Sequence, residues 1–163
     1  MSKVFAPDGP GTGILTTWWQ SLENDKGTRA TLRRCNGPTQ VMLHPAYIRL
    51  CKRLEPFLNS DHNWELRLAR VVGLLAHCRH TTARDLARAM AGDGKPVVSE
   101  LRFRRLLQEK PDDLYLAMIR ILHMLGHTAN LPDLISSVYY WGDTVRKRWA
   151  FAYFPFVPET KTA

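Results

Sequence analysis

Asp85–Leu107, with the sequence DLARAMAGDGKPVVSELRFRRLL, decides the fold class. It reads as two short amphipathic helices joined by a Gly/Pro turn. In the first, Leu86, Ala89 and Met90 share one face, with Arg84 and Arg88 opposite. In the second, Phe103, Leu106 and Leu107 form an apolar stripe, and Arg102, Arg104 and Arg105 fall on the other side. Gly92, Gly94 and Pro96 punctuate the gap, because glycine admits left-handed backbone and proline cannot continue a helix. Ser99 before Glu100 is a fitting N-cap. One side of each helix must bury itself, and the other presents guanidinium groups.

Outward from this pair the pattern stays helical. Upstream, Ile14 to Leu22, Thr28 to Cys35 and Pro45 to Leu54 read as short helices, with Thr28 a candidate cap and Pro45 suited to a first turn. Asp61 to Arg79 is the longest regular segment. Its Trp64, Leu68, Val71, Leu75 and Cys78 are spaced four, three, four, three, which is the seam of a helix packed on helices, and Asp61 suits the positive end of its dipole. Downstream, Pro111 opens a helix to Leu125 that Gly126 closes. Asn130 caps the next, from about Pro132 to Trp141, and Thr144 to Phe154 forms the last, with Val145, Trp149 and Ala152 inward. Period-two alternation is absent, so no sheet is expected. The fold class is therefore all-α: two small packed helical bundles, of about eight or nine helices. Residues 14–93 form the first and 94–155 the second, with 1–13 a disordered Gly/Pro-rich lead-in and 156–163 a loose tail.

The 163 residues are 45% hydrophobic, enough for a packed core, and carry a net charge of +8. That charge is concentrated. Between Arg29 and Arg105 there are 15 Lys and Arg against 6 Asp and Glu, so the rest of the chain is close to neutral. Arginine outnumbers lysine 16 to 7, and arginine makes forked contacts to phosphate and stacks on bases. A solvated surface would account for any one of these charges; the block as a whole points to a nucleic acid. The N-terminus has no apolar leader, and no apolar run is long enough to span a bilayer. Three widely spaced cysteines, Cys35, Cys51 and Cys78, fit reduced thiols in a cytoplasm.

Catalytic patterns are incomplete. His77-Cys78-Arg79-His80 scatters its metal-capable groups around a helix end, and His123 and His127 lack the glutamate of a zinc-protease motif, Met124 standing in its place. Gly92-Asp93-Gly94-Lys95 lacks P-loop spacing, and Asp112-Asp113 fits a helix start. The residues therefore imply no catalytic group, no metal and no cofactor, and a binding protein in place of an enzyme. Arg120 is the lone charge of an apolar helix, where a structural ion pair competes with a ligand contact. Arg146, Lys147 and Arg148 lie near a helix start, where the dipole disfavours cations, which hints at an outside anion. Arg33 and Arg34 are adjacent and are expected to diverge. Trp18, Trp19 and Trp149 are core residues or docking anchors.

The motif A-M-A-G-D-G followed by S-E-L-R-F-R-R-L-L resembles the CasB family, the small subunit of the type I-E CRISPR surveillance complex, Cascade. W-W-Q-S-L (18–22), T-L-R-R (31–34), P-A-Y-I-R-L (45–50) and W-G-D-T-V-R-K-R-W (141–149) fall in the family's order, so the resemblance runs from Ile14 to Phe154. It implies a two-bundle helical subunit, paired with a second copy inside Cascade against the subunits that coat the guide RNA. It also implies a non-catalytic role, holding phosphates of the target or displaced DNA strand and so stabilising the R-loop. By the family motifs, Arg34, Arg102, Arg105, Arg120, Arg146 and Arg148 face nucleic acid; Arg33 and Lys147 join them as neighbours in the basic runs. After Trp141-Gly142, Asp143 and Thr144 stand where the family carries a basic pair, displacing that charge to Arg146. The competing readings are a stand-alone helix-turn-helix regulator built on Thr82 to Leu107, and a small nuclease using Asp112, Asp113 and His123. The turn around Gly92 to Pro96 is long for the former.

Overall fold

A computed structural model describes residues 3–58 and 61–159. Ten α-helices follow in order among them: α1 Pro10–Ser21, α2 Lys26–Arg33, α3 Pro38–Met42, α4 Pro45–Leu58, α5 Trp64–Leu75, α6 Leu86–Ala91, α7 Glu100–Leu107, α8 Pro111–Met124, α9 Leu131–Tyr139 and α10 Asp143–Tyr153. The protein is all-α apart from one minimal parallel pair, β1 His80–Thr81 with β2 Thr128–Ala129, in the register His80 to Thr128. That pair departs from the expected absence of any sheet. Two residues carry no readable period, and what creates the pairing is the reversal after α8, where Gly126 and His127 both take left-handed backbone (φ 67° and 59°).

α5 is the buried axis. Every residue from Leu68 to Cys78 is buried, and α2, α3, α4, α8 and α9 all pack on it. Gly73 is what lets α8 come close: a Cβ there would lie 2.5 Å from the Tyr115 hydroxyl. Arg70, buried on the same helix, reaches the Asp112 carboxylate at the start of α8, at 3.1 Å. α5 starts three residues later than expected. Asp61 is not in its first turn but accepts a 2.9 Å hydrogen bond from the Tyr139 hydroxyl on α9.

The caps follow local chemistry. Ser99 accepts from the Arg102 N–H and Asn130 from the Asp133 N–H, as expected of both. α2 is capped by Asp25, whose carboxylate accepts from the Thr28 N–H and hydroxyl, so Thr28 is the capped residue and not the cap. α3 is a short helix absent from the sequence expectation; Pro38 opens it directly after Gly37.

The N-terminal lead-in is the largest correction. Residues 3–9 are ordered turns, and α1 begins at Pro10. Phe5 is fully buried against the Tyr139 ring, with centroids 4.4 Å apart, and its N–H donates to the Tyr140 hydroxyl. Gly11 is there for space, since a Cβ on it would sit 2.6 Å from the Phe5 ring. At the other end, residues 156–159 of the expected loose tail are described, the first closing a 3₁₀ turn from Phe154 to Phe156; the last four residues lie outside the described set.

One hydrophobic cluster runs through the molecule, from Phe5 and Leu15 to Trp149 and Tyr153. Trp18, Trp19 and Trp149 are all part of it, which removes them as docking anchors. α6 packs along α10. Phe103 of α7 stacks on Tyr153 of α10 (3.8 Å, 9°), and the Tyr153 hydroxyl donates to the Val98 carbonyl at 2.7 Å.

Candidate nucleic-acid interface

The stripe pattern of α7 fixes its rotation. Phe103 and Leu106 point into the core, so Arg102 and Arg105, three residues apart, share one exposed face. Arg104 falls elsewhere and pairs with Glu100 at 3.0 Å. On α8, burial of Leu114, Tyr115, Met118, Ile121 and Leu122 leaves Arg120 exposed beside α7. At the end of α2, Leu32 is buried and Arg33 half-buried, while Arg34 follows as the exposed C-cap residue.

These side chains line three adjoining clefts. The first, about 340 Å³, lies between α7 and α8 and is edged by Arg102, Arg105 and Arg120. The second, about 450 Å³, shares Arg102, Arg120 and Met124 with it and adds Arg33, His77, His123 and His127. The third, about 300 Å³, shares Arg33 and His77 with the second and ends at Arg34. Five arginines, from α7, α8 and the end of α2, thus border a row of clefts that share lining residues, a groove in outline. None of the five has a carboxylate within ion-pair distance among the described residues, although seven other basic side chains do. Arg120, where an ion pair is the competing expectation, has none among the described residues.

Arg33 and Arg34 line the same cleft, against the expected divergence. The adjacency rule holds along a continuing helix, and α2 ends at Arg33. The α10 residues are not brought into the groove. Arg146 pairs with Asp143 at 3.1 Å, donates to the Glu109 carbonyl at 3.0 Å and covers the Trp141 ring. Arg148 donates to the Ser137 hydroxyl at 2.8 Å and faces the Asp133 carboxylate at 3.8 Å. Lys147 is exposed and lines none of the three clefts.

The histidines are what sequence reasoning missed. His77 follows α5 and His127 follows α8, fifty residues apart, yet the His127 Nδ1–H donates to the His77 carbonyl at 2.9 Å. The Arg79 and His80 N–H groups both donate to the His127 carbonyl, continuing into the β1–β2 pair. His123 stands edge-on to His127, centroids 5.4 Å apart. The positive groove is therefore floored by imidazoles. Burial, reinforced by the charge of Arg33 and by His127, pushes the His77 imidazole down to about 4, so it is neutral at physiological pH.

The family model of CRISPR-associated protein Cse2 matches residues 28–154. The chain belongs to the Cse2 family. The match spans α2 to α10 and includes all five groove arginines, and membership makes this a CRISPR-associated protein. CasB from Thermus thermophilus superposes with a TM-score of 0.64 at 25% identity, over 90% of this chain and 98% of that one. A chain of Escherichia coli Cascade bound to a PAM-containing dsDNA target superposes with a TM-score of 0.65 at 21% identity, over 88% of this chain and 93% of that one, and supports the fold. The chain has no significant match among curated proteins. No helix among the described residues is long and apolar enough to cross a membrane.

Proposed function

We propose that this Cse2-family chain is the small subunit of a type I-E Cascade complex, and that its groove holds a DNA strand by the phosphates. The observation that carries the reading is the set Arg33, Arg34, Arg102, Arg105 and Arg120: without a carboxylate partner among the described residues, and bordering one row of clefts. Folding has already brought these cations together, so an incoming backbone meets preorganised donors. Contacts to phosphate position a strand without reading it, which suits a complex whose guide RNA reads the sequence by pairing. Opening the target duplex is close to balanced energetically, so a sequence-tolerant hold on the displaced or target strand shifts that balance toward the R-loop. The partners in this reading are the guide-RNA ribonucleoprotein, the other Cascade subunits and a second copy of the chain, in the cytoplasm.

The role is non-catalytic in this reading. Asp112 and His123 stand at opposite ends of α8, about 16 Å apart along the helix axis, so they cannot share a reacting atom. Asp112 is also engaged by Arg70.

The test is binding of labelled single- and double-stranded DNA by the pure protein across a salt series. Affinity is expected to fall steeply from low to physiological salt. Changing Arg34 and Arg102 together to Ala is expected to weaken both DNA binding and R-loop formation in the assembled complex. Unchanged binding by that variant, with native circular dichroism, would show the assigned groove to be wrong. Recovery of one palindromic sequence from random duplexes would instead favour a stand-alone regulator.

A further inference from the structure

The three clefts differ in chemistry. The outer two are edged by arginines at their ends, Arg105 on one side and Arg34 on the other. The middle one shares Arg33, Arg102 and Arg120 with its neighbours, and it alone adds Ile119, His123 and His127 to Met124 and His77. His77 is only 7% exposed, and its Nε2 is buried with no hydrogen-bond partner among the described residues. A buried polar nitrogen left unmet costs stability, and a site that keeps one calls for an occupant that satisfies it.

A phosphate is a poor occupant for that position. It would lose its hydration to reach the neutral His77 imidazole, while Arg33, Arg102 and Arg120 in the same cleft serve it better. A flat heterocycle with hydrogen-bonding groups on its edge suits every wall. Its faces can stack on an imidazole or a guanidinium, a small shift of the His77 side chain would bring its edge to the Nε2, and Met124 and Ile119 line the rest. The volume, about 450 Å³, lies in the range of small-molecule sites.

We propose that the middle cleft takes a single unstacked nucleobase from the strand whose phosphates lie on the flanking arginines. The inference rests on the groove reading and adds to it a preference for unpaired strands, because a base inside a duplex would first have to leave its stack.

The experiment compares two strands of equal length and phosphate number: an ordinary DNA oligonucleotide, and one in which the central nucleotides are abasic. Affinities are measured by fluorescence anisotropy on the full-length protein at a single low salt concentration. The base-bearing strand is expected to bind about tenfold more tightly. In His123→Ala, and in His77→Phe where it stays folded by circular dichroism, that ratio is expected to fall toward one. His123 is exposed, so its variant tests the pocket even where the His77 variant unfolds. A 2-aminopurine in the strand is expected to brighten on binding the wild type, as a base leaving its stack does. Equal affinity for both strands would overturn the pocket while leaving the phosphate groove standing. Binding to neither would overturn both.

Discussion

Two groups of cations on this molecule look alike in sequence and have opposite fates. On α10, Arg146 and Arg148 are tied to Asp143, Ser137, Asp133 and the Glu109 carbonyl, in contacts that fasten α10 to α9 and to the connection between α7 and α8. In the groove, Arg33, Arg34, Arg102, Arg105 and Arg120 are left without carboxylates among the described residues. The difference is a matter of what stands nearby. A surplus of basic residues becomes a ligand surface only where folding withholds the local acceptor. Arg104 makes the same point inside one helix: it stands between Arg102 and Arg105 in sequence but on another face, and Glu100, one turn back, pairs with it.

The comparison can be pressed hardest on α10. Trp149→Ala removes a fully buried indole and its hydrogen bond to Ser137, and is expected to cost about 3 to 5 kcal/mol of stability, read by urea denaturation. A loss under 1 kcal/mol would mean that α10 is not anchored as described. In the groove the effect should appear in binding and not in folding. The double variant R102A/R120A is expected to lose about 3 kcal/mol of strand affinity, roughly 100-fold, with an unchanged melting temperature and a salt slope shallower by about two.

Acid sharpens the contrast from the groove floor. His77 titrates at about 4 in the fold, against 6.5 for an ordinary histidine. Below pH 6.5 the unfolded chain gains a proton that the folded chain refuses. Its contribution to stability is therefore complete above 6.5 and is lost progressively as the pH falls toward 4. The urea midpoint should drop across that window, and His77→Phe should flatten the drop. The smallest expected effect is Arg148→Ala: a destabilisation of about 1 kcal/mol or less, since the guanidinium is half exposed, with strand affinity within twofold of wild type. A loss of affinity comparable to that of the groove variant would erase the distinction between the two sets.

Much of this was legible in the residues. Ser99, Pro111 and Asn130 mark helix starts through chemistry that acts within one turn, and the stripe of α7 predicts which arginines face outward. What escaped was set by contacts distant in sequence. Gly9, Gly11 and Gly13 have the composition of a flexible lead-in, yet Gly11 is small because Phe5 lies against it, and Phe5 is buried because Tyr139 receives it. The histidines form two unremarkable local patterns, and only the left-handed turn at Gly126 and His127 makes them one floor. Arg146 and Arg148 lie in the basic run after Trp141-Gly142, yet Asp143 and Asp133 are in reach of them, which the run alone does not reveal.

The parallel pair between β1 and β2 is two residues long, but it joins positions 80 and 128. Closing a loop of that length is entropically slow compared with winding any of the helices on either side. A newly made chain would thus hold Arg102, Arg105 and Arg120 in nascent helical segments before the ends of α5 and α8 meet. Until that clasp forms the floor of imidazoles between the arginines is not assembled, so the cleft is expected to arrive late in folding, as a property of the completed chain.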